Sequence, residues 1–177
     1  MDSEQVFAVE VVGFLVLFSL VAVWYWWPGL LRLGTVEALT PLLLLHVSRT
    51  VGLTVLVAGV TDPSLPRSFA VPVAYGDLAA AVLALLTIVA LRRRLPLWPI
   101  VAWVFTVEGT GDLLNAFIQG YRIDVSSYEL GATWFIFTVL VPALLVTHVM
   151  IAMILIRRRD RAPHRLTQGE RSMPDGP

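Results

Sequence analysis

The chain contains no cysteine, which excludes disulfides, thiolate catalysis and cysteine-ligated metal centres. It contains no lysine either, since all 13 basic residues are arginine. That excludes a Schiff-base lysine and with it a retinal chromophore of the usual kind. Charge is scarce at 15% of the 177 residues, and the net charge is zero, so nothing in the bulk charge points to a nucleic-acid partner. The excess is apolar. Hydrophobic residues make up 57% and mean hydropathy is +0.77, more than a soluble domain of this size carries.

The apolar residues come in blocks. A bilayer span needs about 20 mostly apolar residues at ~1.5 Å rise each. Five segments qualify, at residues 6–27, 38–60, 70–91, 97–120 and 130–156. Pro, Gly and Asp punctuate the connections "PGLLRLG", "TDPSLPRS", "RRRLP" and "YRIDVSSYE". The expected fold is all-α, a five-helix transmembrane bundle over residues 1–156 in the cell (cytoplasmic) membrane, with a basic disordered tail over 157–177. The start, "MDSEQ", is acidic and no small-residue cleavage site follows the first apolar run, so that run reads as a span and not as a signal peptide. With five spans, Arg32, Arg92, Arg93, Arg94 and the six arginines from Arg157 onward fall on one side, against Arg67 and Arg122 on the other. The side rich in arginine is expected to be cytoplasmic, which places the N-terminus outside and the C-terminus inside. Trp24, Trp26 and Trp27 then form an aromatic belt at the inner interface. The chain shows no internal repeat, which weakens an alternating-access carrier built from inverted halves.

Several polar residues interrupt the spans. In the second, "LLLLHVSRTVGL" puts His46, Arg49 and Thr50 at spacings of three and four, on one helix face. In the third, Asp77 stands beside a Gly76, Ala80, Ala84 ladder that allows close helix approach. In the fourth, Glu108, Asp112, Asn115 and Gln119 follow one stripe at spacings of four, three and four; such a stripe must face the bundle interior or water. In the fifth, His148 follows Pro142, a residue that kinks helices. Counted from the inner ends, Arg49 and Glu108 both lie at about 16 Å, and His46 and His148 both at about 12 Å. Arg49 cannot lose its proton and needs an anion. Glu108 is its depth-matched candidate partner, with Asp112 or Asp77 next. One guanidinium then faces three carboxyls, with Glu10 nearer the outer interface, so protonation, a cation or a ligand must balance the excess.

Other readings compete. A buried ion pair can be structural glue holding helices in register. His46 and His148 can be axial ligands of a haem b. Glu108 and Asp112, with Asp77 and a histidine, can chelate a divalent metal. A protonated carboxyl and a histidine can serve an enzyme acting on a lipid or isoprenoid substrate. Small-residue faces suit a homo-oligomer or a subunit of a membrane complex. The tail arginines can touch anionic lipid.

The runs "HVSRTVGL", "AVPVAYGD", "GTGDLLNA" and "WFIFTVLVPALLVTH" resemble a group of small polytopic bacterial integral membrane proteins without an assigned function. The resemblance covers most of residues 38–150. It implies a bacterial cytoplasmic membrane and places Arg49, Asp77 and Asp112 at family-like positions, but supplies no reaction. The function expected from the residues is a buried charged site that binds or conducts a small ligand or a proton. Arg49 would fix its charge, Glu108, Asp112 and Asp77 would titrate or bind, Asn115 and Gln119 would line an outer vestibule, and His46 and His148 would lie on the inner side.

Overall fold

The computed structural model describes residues 1–161. Most of the expected tail therefore lies outside the described residues. The last helix continues through Arg161, beyond its expected end at residue 156. Five long helices are present among the described residues: α1 Ser3–Leu30, α2 Thr35–Leu56, α3 Arg67–Arg92, α4 Trp98–Arg122, and α5, which begins at Thr133. Four of them, α1, α2, α3 and α5, are long and apolar enough to cross a membrane. The exception is α4, 25 residues long. Its stripe of Glu108, Asp112, Asn115 and Gln119 replaces apolar residues over nearly half its length.

Local chemistry explains the irregular turns. Pro28 and Pro142 each follow a π turn, Ala22–Trp26 in α1 and Ile136–Leu140 in α5. A proline ring clashes with the carbonyl four residues back, here those of Trp24 and Thr138, and both lie inside the widened turn. At Pro142, where a kink is expected, the preceding turn is a π turn, a rare winding that occurs mostly as a single turn inside an α-helix. The second half of α2, Ser48–Leu56, winds as a 3-10 helix. Its buried residues are Arg49, Gly52 and Val55, a spacing of three that suits three residues per turn. Thr50, expected to share the face of Arg49, is exposed and its hydroxyl turns back toward the Val47 carbonyl.

The central helix is α3, packed against α4 and against both halves of α2; α5 touches α1, α2 and α4. One apolar cluster gathers Leu39, Leu43, Ile88, Leu91, Phe105 and Ile151. A second, toward the opposite end, gathers Val55, Phe69, Val73, Ala74, Val125 and Leu130. The polar residues of α2 to α5 fall between them. Three buried threonines are satisfied locally: Thr40, Thr87 and Thr106 donate to the carbonyls of Val36, Leu83 and Ala102, one turn back, whereas the buried Thr138 hydroxyl has no partner.

By contrast, α1 is attached loosely, with no buried residue over Ser3–Val21. A hydrogen bond ties its first half to α5: Trp134 Nε1 donates to Glu10 Oε2 at 2.6 Å, beside an edge-on contact of Phe7 with the Trp134 ring. Glu10 is thereby taken up at a place of its own, apart from Arg49. Hydrogen bonds to charged groups contribute about 1.5–3 kcal/mol, so Glu10→Leu is expected to lower stability in detergent by that amount. It should also shift Trp134 fluorescence, which makes the loss assignable to this contact.

At the end of the bundle near the α1 N-terminus, Asp62 joins two connections. Its N–H donates to the Glu129 carbonyl, and its Oδ1 accepts from the Ser64 N–H and hydroxyl. The bonds from Ser64 hold the Asp62 carboxyl below the usual carboxylate range. At Gly131 the backbone is left-handed, with φ +52°, and a side chain there would strike the Val60 carbonyl oxygen. Glycine therefore lets the two connections close on each other.

Candidate functional site

Arg49 is fully buried. Three of its nitrogens are used. Nε donates to Asp77 Oδ1 at 2.7 Å, Nη2 to Asp112 Oδ2 at 2.5 Å, and Nη1 to the Gly109 carbonyl at 3.2 Å. One side chain from α2 thus ties α3 and α4 together through the planar fork that arginine alone provides. Among the described residues these are the only two ion pairs.

The expected pairing of Arg49 with Glu108 is corrected. A helical side chain leans toward the N-terminus of its own helix and covers the preceding turn. Asp112 therefore reaches back to the level of Gly109, where Arg49 lies, while Glu108 reaches past it. Glu108 Oε2 is buried without a hydrogen-bond partner.

Three glycines make room for this layer. A Cβ at Gly52 in α2 would strike the Asp77 carboxylate of α3, and one at Gly76 in α3 would strike the Asp112 carboxylate of α4. One at Gly109 in α4 would lie 2.7 Å from His148 Cε1 and Nε2 of α5, and 3.1 Å from Arg49 Nη1. Each helix offers a bare patch of backbone to a polar side chain of the next. Sequence reasoning assigned Gly76 to helix packing and did not single out Gly52 or Gly109. The available signal was a glycine within three positions of each charged residue, in "RTVG", "YGD" and "EGTGD".

His46 and His148, expected at equal depth, are in contact. Their ring centroids are 4.1 Å apart, and both rings pack on Phe105 at 5.0 and 4.9 Å. Two imidazoles this close leave no slot for a porphyrin plane, so the haem reading does not fit. His46 Nε2 lies 3.0 Å from Thr147 Oγ1, which also lies within reach of the Ala143 and Leu144 carbonyls. A hydroxyl has one proton to give. With that proton on a carbonyl, His46 Nε2–H donates to Thr147 and Nδ1 is left as an acceptor. His46 Nδ1 and both ring nitrogens of His148 are buried without partners. No three of His, Asp and Glu among the described residues are grouped to hold a metal ion. The two aspartates of the proposed chelate are engaged by Arg49.

The outer part of the stripe does not join the cluster. Asn115 is exposed and Gln119 half-buried. Both line a recess of about 40 Å³ with Ser68, Phe69, Pro72 and Val73.

The site is therefore a polar layer in an apolar bundle: one guanidinium, two paired carboxylates, an unpaired Glu108 oxygen and a histidine pair in tilted contact. Apolar clusters bound it on both sides, and the side chains of Asp77 and Asp112 keep 12% and 13% exposure. No curated protein and no solved structure matches the chain. The chain belongs to the family described as a domain of unknown function, DUF8737, whose model matches residues 6–156 and so takes in all five helices.

Proposed function

We propose that the chain is an integral protein of the cell membrane, N-terminus outside and C-terminus cytoplasmic, whose Arg49 layer binds or conducts a proton or a small ligand. All five helices cross the bilayer in this reading. α4 crosses because Asp112 spends its charge on Arg49 and Glu108 faces the bundle. The contact of Arg157 with the Trp27 ring, 5.1 Å from guanidinium to centroid, supports the topology. It puts the ends of α1 and α5 at one face, as an odd number of crossings requires.

One observation carries the functional reading. His148 is buried, stands across Gly109 from Arg49, and has no partner for either ring nitrogen. Structural polar networks are satisfied, because a buried unpaired polar group costs about 1–3 kcal/mol. Groups left open beside a fixed charge suit a site that takes up a guest. Arg49 sets the local positive charge. Asp77 and Asp112 neutralise it and carry one negative charge in excess, and Glu108 and the histidine pair offer the remaining proton-exchanging positions. Asp112, Glu108, His148 and His46 form a sequence of such groups across the layer. The apolar cluster around Leu43, Phe105 and Ile151 closes its inner end, so passage through the bundle requires that end to open.

Vesicles containing the purified chain and a pH-sensitive dye test this reading. Under an imposed proton gradient the wild type is expected to equilibrate faster than empty vesicles. Glu108→Gln, which breaks no ion pair, is expected to return the rate to that of empty vesicles while the melting midpoint in detergent stays unchanged. Equal rates for wild type and Glu108→Gln would count against a proton role for this layer.

A further inference from the structure

A larger cavity lies away from Arg49, between the first half of α1 and the last turns of α4. Its volume is about 540 Å³, within the ~300–1,000 Å³ of small-molecule sites. It exists because α1 packs on α5 and on the Val125–Ser127 turn, with its flank toward α4 left open. The walls are apolar, among them Val11, Phe69, Phe117, Phe137 and Val141. The polar lining residues, Glu4, Tyr121, Arg122, Asp124 and Ser126, all belong to the first turn of α1, the last turn of α4 and the loop that follows. The cavity is thus greasy along its length and charged at one mouth. The mouth carries both signs. Arg122 and Glu4 form no ion pair, and Asp124 Oδ1 accepts from the Ser126 hydroxyl.

We propose that this cleft holds one acyl chain of a zwitterionic phospholipid, with the head-group phosphate at Arg122 and the ammonium between Glu4 and Asp124. An apolar slot opening sideways from a bundle suits a flexible chain. A mouth with two carboxylates and one guanidinium selects a head group that carries both charges. An anionic head group would satisfy Arg122 and leave two carboxylates repelling it. The proposal rests on residence in a bilayer, which fractionation of cell membranes tests separately: a chain recovered in the soluble fraction defeats both readings, whereas the outcomes below bear on the lipid alone.

Native mass spectrometry of the full chain in detergent, titrated with phosphatidylethanolamine and phosphatidylglycerol of matched chains, is the test. The wild type is expected to retain one phosphatidylethanolamine, preferred about fivefold, the factor of one charge contact at a lipid surface. Glu4→Gln should abolish the preference, whereas Arg122→Gln, which removes the phosphate contact common to both lipids, should weaken retention of both. Ala116→Phe, which fills the cleft from α4, should remove the bound lipid, and Val12→Phe provides the same blockade from the exposed α1 should the α4 variant fail to fold. Equal or tighter retention of phosphatidylglycerol by the wild type overturns the proposal. So does an adduct that survives the cleft-filling variants, a head-group preference indifferent to Glu4, or lipid retention indifferent to Arg122.

Discussion

Arg49→Met is expected to destabilise the folded bundle by about 3–5 kcal/mol, the cost of stranding buried charge when one partner of a pair is removed. Two carboxylates lose their counterion at once, because Asp77 and Asp112 both bond to Arg49. At about 2–4 °C per kcal/mol for a chain of this length, the melting midpoint in detergent should fall by roughly 6–20 °C. Arg49→Lys retains the charge but not the fork. An ammonium is a compact point charge and cannot match donors already aimed in three directions, at Asp77, Asp112 and the Gly109 carbonyl. Its midpoint is expected between those of wild type and Arg49→Met. An Arg49→Met variant that melts with the wild type would mean that the guanidinium contributes nothing to helix association.

Gly76→Ala is the second large effect. The added methyl would occupy the space of the Asp112 carboxylate. Overpacking of this kind costs about 1–3 kcal/mol, and displacing Asp112 weakens a charged hydrogen bond worth about 1.5–3 kcal/mol. The matched control is Gly111→Ala, inside the neighbouring α4, where nothing lies within 4 Å of the new methyl. There the usual preference of a helix for alanine should stabilise by about 0.5–1 kcal/mol. Thermal melts of the two variants side by side are therefore expected to move in opposite directions. A fall in both would point to a general intolerance of substitution at these glycines.

The helices were legible because hydropathy accumulates over twenty residues and tolerates local error. The expected 6–27 and 70–91 became Ser3–Leu30 and Arg67–Arg92. The 3-10 winding of Ser48–Leu56 was not legible. Nothing in the composition of "SRTVGLTVL" demands it, and it is fixed by docking Arg49, Gly52 and Val55 against α3. That change of winding removed Thr50 from the site. Of the prolines, Pro142 was read as a kink and Pro28 was not, although both produce the same π turn.

Within the site, residue types and approximate level were readable, and partners were not. Counting rise per residue places Cα atoms, but a carboxylate extends back along its helix, so the level match of Arg49 with Glu108 selected the wrong acid. The same count put His46 and His148 together without revealing that their rings touch, which is what separates a packed pair from two haem ligands. Periodicity set Asn115 and Gln119 on one line with Asp112, yet the neighbours of α4 cover only the inner part of that line. The glycine seats escaped notice because a glycine carries no chemistry until the side chain that occupies its space is known.

The central claim is that one guanidinium is held inside an apolar bundle by carboxylates from two neighbouring helices. A double-mutant cycle on Arg49→Met and Asp112→Leu, read as unfolding free energy in detergent, tests it most directly. The double variant is expected to be more stable than Arg49→Met alone, since removing both charges leaves less buried and unpaired, with a coupling of about 0.5–3 kcal/mol between the sites. Strictly additive losses would contradict the account, because they would mean that Arg49 and Asp112 do not meet.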